Sequence, residues 1–216
     1  MKKILISTIL AGFFAFSASA DTNIGISISA ANMDASGSHT PNSGDAVKHA
    51  GNADFEMASF FLEKEVDVGG LSIAIGLDMI PMTAEVDKLG GGTGFDATVE
   101  VGNVMTAYIQ PMFNAGSLTV FLKAGATTAD LDITEISRQA TASETSDSAS
   151  TDGAQSKSLD GMMYGAGIQT EMMGGFIRLE GTVTDFDEIT HTNSNDKILK
   201  ADSKLTRFSI SYGKSF

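Results

Sequence analysis

The chain has 216 residues, 42% of them hydrophobic, with no cysteine, no tryptophan and a formal net charge of −13. The length fits one domain, and the acidic balance argues against nucleic acid or anionic head groups as partners. Without cysteine, neither a disulfide framework nor thiol chemistry is available.

The first element is a leader. Lys2 and Lys3 give a positive start, a mostly apolar run covers 4–16, and Ala18-Ser19-Ala20 is a small-residue cleavage pattern. The run is too short to span a bilayer comfortably. The expected organisation is a signal peptide over 1–20 and one domain over 21–216. Losing Lys2 and Lys3 takes 14 basic residues to 12 against 27 acidic ones, a formal charge of −15. After residue 20 no apolar run approaches the ~20 residues of a transmembrane helix, so any membrane crossing has to use a closed barrel.

From there the pattern is alternation. Ile24, Ile26 and Ile28 alternate with Gly25, Ser27 and Ser29. Leu71, Ile73, Ile75, Leu77 and Met79 alternate with Ser72, Ala74, Gly76 and Asp78. Leu118, Val120, Leu122 and Ala124 alternate with Thr119, Phe121, Lys123 and Gly125, and Phe208, Ile210 and Tyr212 with Ser209, Ser211 and Gly213. Period two sends the two sets to opposite faces of a strand. Eight strands are expected, over 22–34, 53–65, 70–86, 97–112, 117–133, 160–172, 175–187 and 203–216. Short glycine-containing connections near 66–69, 113–116 and 172–174 alternate with long ones over 35–52, 87–96, 134–159 and 188–202. Short turns at one end and long loops at the other is the layout of outer-membrane barrels, with both termini periplasmic. The stretch 141–158, rich in Ser, Thr, Asp and Ala, reads as a mobile surface loop.

Alternation alone also suits a soluble barrel or sandwich with the apolar set inside. The leader, the strict alternation of turns and loops, and a second face rich in Gly, Ser, Ala and Thr favour the inverted arrangement, because small residues suit the narrow lumen of eight strands. Aromatic girdles then rely largely on phenylalanine with Tyr108, Tyr164 and Tyr212.

The last strand, LTRFSISYGKSF, ends on Phe216 with Tyr212, Ile210 and Phe208 on one face. It resembles the terminal strand of bacterial outer-membrane barrels, apart from Lys214, whose charge can snorkel to water. With the strand count and loop layout, the mature chain is similar to the small OmpA-type, OmpX-type and opacity-type barrels. The resemblance implies an all-β, eight-stranded antiparallel up-and-down transmembrane barrel in the outer membrane. It also implies that Phe208, Ile210, Tyr212 and Phe216 form the signal read by the barrel-assembly machinery. No peptidoglycan-binding domain is expected after Phe216.

No catalytic, metal or cofactor site is expected. His39, His49 and His191 fall in the long loops with no ligand spacing, and no nucleophile elbow or phosphate loop occurs. Gly69-Gly70 and 90–92 read as turn chemistry. The expected constellation lies in the lumen, where Asp78, Glu100, Lys123, Glu171, Arg178, Glu180 and Arg207 pair with one another, Arg178 falling diagonally near Glu171 across the turn. Charges on the lipid face would cost ~2–4 kcal/mol each near mid-depth, so they face inward. The expected function is a non-enzymatic scaffold that displays acidic loops in adhesion or envelope integrity. Its partners are membrane lipid, the assembly machinery and a surface ligand. The alternatives are a narrow conduit for ions or small apolar solutes, or a lipid-modifying enzyme.

Overall fold

The computed structural model describes residues 21–39, 47–86, 95–138, 155–192 and 198–216. The leader, 141–154 of the low-complexity stretch and the glycine run 90–92 lie outside them. The described chain is all strand and turn. In order it forms β1 (Asp21–His39), β2 (Val47–Val68), β3 (Leu71–Ile80), β4 (Ala84–Val86), β5 (Phe95–Ala115), β6 (Leu118–Arg138), β7 (Gln155–Met172), β8 (Gly175–Phe186), β9 (Ile189–Thr192) and β10 (Ile198–Ser215). The eight strands β1, β2, β3, β5, β6, β7, β8 and β10 form the wall, each pairing antiparallel with the next. β4 extends the ladder on β5, and β9 extends the ladder on β10. β1 pairs β10 from Asn23–Ser215 to His39–Leu199, which closes eight wall strands into a barrel without free ends.

Three two-residue turns join β2–β3, β5–β6 and β7–β8. Gly69 and Gly70 both have positive φ, as do Met173 and Gly174, which is the left-handed backbone that matches strand twist in tight hairpins. At the opposite end the strands run further than alternation suggests. β1 and β2 stay paired to His39–Val47, and β6 and β7 to Ile133–Gln155. Here both faces leave lipid, so a polar strand pairs as well as an apolar one.

The wall is inverted only in the turn half. There Ile24, Ile26, Ile28, Phe60, Leu122, Phe208 and Ile210 stand outward and exposed, Ile28 at 66%. Such a band around a whole barrel far exceeds the isolated patches of a soluble monomer. Above it the outward residues become Asp34, Asp54, Glu56, Asp130, Asp185 and Lys204. Inside, at that level, Ala31, Met33, Met57, Ile80, Val101, Val104, Ala129, Leu159, Phe186 and Leu205 form one buried apolar cluster. All eight wall strands contribute to it. The interior expected to be small, polar or charged throughout is therefore apolar in the loop half. Outside the bilayer a strand faces water, and the ordinary rule of polar out and apolar in returns. A closed barrel with an apolar belt and every wall strand paired to two neighbours through that belt meets the requirement for crossing lipid, and the chain is an outer-membrane β-barrel.

Phe216 sits beyond the last strand, 71% exposed, with its backbone bonded both ways to Thr22 at 2.9 and 3.1 Å. Phe208, Ile210 and Tyr212 share the outward face. We propose that this strand end directs assembly: Phe216→Ala should slow barrel formation severalfold in pulse-chase gels while export proceeds normally, and a wild-type rate would remove the assignment. We likewise propose cleavage after Ala20, so that N-terminal sequencing of the membrane-fraction protein begins at Asp21.

Candidate functional site: a two-tier plug in the lumen

The inner faces of the turn half bring six buried charges together, the acids Glu63, Asp78 and Glu180 and the bases Lys123, Arg178 and Arg207. Period two aims each of them inward: Glu63 from β2, Asp78 from β3, Lys123 from β6, Arg178 and Glu180 from β8, and Arg207 from β10.

The cluster has two linked parts. Nearer the turns, Arg178 grips Glu63 with both terminal nitrogens, at 2.7 and 3.0 Å. Its Nε and Nη2 also donate to Gln169, directly across the β7–β8 ladder, at 3.1 and 2.8 Å. The Tyr108 hydroxyl donates to Glu63 at 2.6 Å. Rings of Phe61, Phe121 and Phe176 surround the guanidinium, each centroid 5.1 Å away. A two-pronged guanidinium–carboxylate bond in a ring of aromatic faces is among the stronger arrangements available to a buried cation. The second part is a chain. Lys123 pairs with Glu180, whose other oxygen lies 3.6 Å from Arg207, and Arg207 donates to Asp78 at 2.7 Å. The Lys123 ammonium sits 4.2 Å above the Tyr108 ring, joining the two parts.

Thr106 bonds Thr127 at 2.9 Å between this cluster and the apolar tier, and Ser27 bonds Ser211, which is in register with Arg178, at 2.8 Å. Room for the aromatic rings comes from inward glycines. A Cβ on Gly76 would lie 2.5 Å from Cζ of Tyr108, and one on Gly25 would lie 2.2 Å from Phe61. An open cleft of about 430 Å³, lined by Asp34, Ser36, Asp185, Phe186, Asp202 and Lys204 among others, contains none of the six charges.

Of the seven charges expected in the lumen, Asp78, Lys123, Arg178, Glu180 and Arg207 meet there. Glu100 does not. The ladder of β5 on β6 shifts register between Gly102 and Met105, around Asn103 with φ of 49°, so one extra residue reverses the faces beyond it. Val101 thereby joins the interior cluster and Glu100 falls on the outer wall, in register with Glu85 and Asp132. Glu171 keeps inward parity but lies exposed at the turn rim, two residues from Met173, while Arg178 turns to Gln169 and Glu63. Tyr108, expected in a girdle, is fully buried inside, whereas Tyr164 and Tyr212 do face outward. His39, His49 and His191 stand in strand backbone rather than loops, with His49 opposite Gly37 and His191 opposite Leu199. Their side chains lie outside the described residues.

No family model matches the chain, and no curated protein sequence does. Among solved structures it is similar to Ail, the attachment invasion locus protein of Yersinia pestis, crystallised with the heparin analogue sucrose octasulfate. That match has 10% identity over 90% of this chain and 98% of that one, with a TM-score of 0.42. Neisserial surface protein A aligns at 8% identity over 86% and 96% of the two chains, with a TM-score of 0.38. The outer-membrane protease OmpT of Escherichia coli aligns at 10% identity over 93% and 99%, with a TM-score of 0.47.

Proposed function

We propose that this chain is a non-conducting, non-enzymatic scaffold that carries acidic segments outward from the membrane, in adhesion or envelope integrity. The turn end, with both ends of the mature chain, faces the periplasm in this reading, and the loop end meets the surface ligand. The observation that carries it is the double closure of the lumen. Three acids balance three bases in the turn half, and an apolar tier contributed by all eight wall strands lies above them. An ion crossing the barrel would have to break buried charge pairs and then enter a dehydrated apolar layer, and eight strands leave little lumen beyond their own side chains. A conduit for ions needs a continuous wet path, which these two tiers oppose.

Planar-bilayer recording tests the reading. The purified barrel should show no steady single-channel conductance. Variants that loosen only the charge cluster should also stay silent, because the apolar tier remains. A stable open channel from the wild-type chain would overturn the scaffold reading and make these charges a selectivity lining.

A further inference from the structure

The outer wall sorts its charges by height. Above the apolar belt stand acids, among them Asp34, Asp54, Glu56, Asp130, Asp160 and Asp185, with Lys204 paired to Asp185 at 3.2 Å. Between them and the turns, the outward positions of the eight wall strands carry two charges among the described residues, Lys64 on β2 and Lys214 on β10. Both are basic, and they flank β1. Lys64 is in register with Thr22 and Lys214 with Ile24, so the first strand runs between them at the seam that closes the barrel. Two strand spacings across and two residues along put their Cα atoms about 12 Å apart.

The nearby acids do not neutralise this pair. Glu65 and Asp67 have inward parity on β2 and are engaged there, Glu65 by the Asn23 amide at 3.0 Å and Asp67 by the Ser72 hydroxyl. Asp21, in register with Glu65, shares that parity. Neither lysine belongs to an ion pair among the described residues. The Lys214 ammonium lies 5.5 Å from the centre of the Phe216 ring, so its stem runs toward the turn end and away from the belt. A charge on the lipid face is tolerated near the interface, where a long stem carries it out to the head groups. The two lysines therefore mark the lower edge of the belt.

We propose that Lys64 and Lys214 together bind the phosphate of one anionic phospholipid at the turn-end face of the bilayer, with its acyl chains lying over Ile24, Ile26 and Leu62. The occupant follows from charge complementarity and from continuity, since the pair sits at the edge of a surface that already contacts lipid. An ammonium carries three donors on a flexible four-carbon stem, and two such stems can close the gap between them onto one phosphate. The acidity of the whole chain, which argues against anionic head groups, does not reach this place. The outer acids lie across the belt, beyond the ~8 Å over which charges act in physiological salt, so a head group meets a local cationic patch. The site is on the outside of the wall, and the inference goes beyond the scaffold reading without depending on the lumen.

The absence of tryptophan from the chain gives a direct test. Ile24→Trp places an indole between the lysines, and Val120→Trp places one on β6, four strands away; both positions are outward, 51% and 41% exposed. Each variant is refolded in phosphatidylcholine vesicles in which one lipid in five has brominated acyl chains, that lipid being phosphatidylglycerol or phosphatidylcholine. Brominated phosphatidylglycerol should quench Ile24→Trp at least twice as strongly as brominated phosphatidylcholine, and the two should quench Val120→Trp equally. Adding Lys64→Gln and Lys214→Gln should abolish the preference at Ile24→Trp, whereas Lys64→Arg and Lys214→Arg should keep it. Equal quenching of Ile24→Trp by the two lipids overturns the proposal. So does an equal preference at Val120→Trp, and so does a preference that survives the glutamine pair. Inorganic phosphate replacing chloride at constant ionic strength should leave the preference intact; its loss would mean a site for a soluble anion, not for lipid. If the indole at 24 blocks folding, mass spectrometry of the wild-type barrel released from micelles holding both lipids equally serves instead. One phosphatidylglycerol should be retained at least threefold more often than phosphatidylcholine, and no excess would sink the idea.

Discussion

Replacing Arg178 by alanine is expected to destabilise the barrel by about 3–5 kcal/mol, because it leaves the Glu63 carboxylate buried without the guanidinium that grips it. The loss is larger than a distance alone would suggest. Arg178 satisfies both oxygens of Glu63 and the carbonyl of Gln169, and it fills the space between Phe61, Phe121 and Phe176. Urea titration of the barrel in detergent micelles measures it. The double variant Arg178→Met, Glu63→Gln should recover most of the loss, since removing both charges removes the desolvation penalty along with the attraction. Lys123→Met provides the contrast. Its partner Glu180 retains Arg207 at 3.6 Å, so this change should cost clearly less than Arg178→Ala. A cost under about 1 kcal/mol for Arg178→Ala is the behaviour of a solvated rim pair, and it would refute a sealed lumen.

How much of this could be read from the chain varies by strand. In β1 the apolar residues fall at Ile24, Ile26 and Ile28 and then change parity to Met33. In β10 they run Tyr212, Ile210 and Phe208 and then change to Leu205. The change of parity marks where lipid outside gives way to water, so the two halves of the barrel are written in the sequence. A reading that keeps one face apolar along each strand finds the belt and misses the upper tier. Glu63 is a different case. It lies in Phe60-Phe61-Leu62-Glu63-Lys64-Glu65, which puts apolar and charged residues on both faces, so hydropathy assigns no direction. Its direction follows from register through the Gly69-Gly70 turn, which sets Glu63 opposite Gly76 and two residues from Asp78 on the inward face. Tyr108 sits in a stretch equally apolar on both faces. It goes inward because Gly76 and Gly125 leave space for its ring. Period two counted through Asn103 puts Glu100 on the wrong face, because the extra residue there, in the left-handed region, reverses the faces and carries no polarity signal.

That space is itself testable, and Gly76→Ala is the second change expected to be severe. The new Cβ would lie 2.5 Å from Cζ and 2.6 Å from the hydroxyl oxygen of Tyr108. The ring is fully buried and cannot retreat without surrendering its 2.6 Å bond to Glu63. Overpacking costs about 1–3 kcal/mol, and losing a buried hydrogen bond to a charged acceptor adds about 1.5–3 kcal/mol. The temperature at which the folded band disappears on a gel should fall accordingly. Gly181→Ala is the matched control: a Cβ there has nothing within 4 Å, and the change should stay within about 0.5 kcal/mol of wild type. Because the cost of Gly76→Ala acts through one ring, adding Tyr108→Ala should not add its own full penalty, and the two changes should combine to clearly less than their sum. Additive losses would mean that Gly76 is needed for strand backbone alone and that Tyr108 does not depend on it for its place beside Glu63.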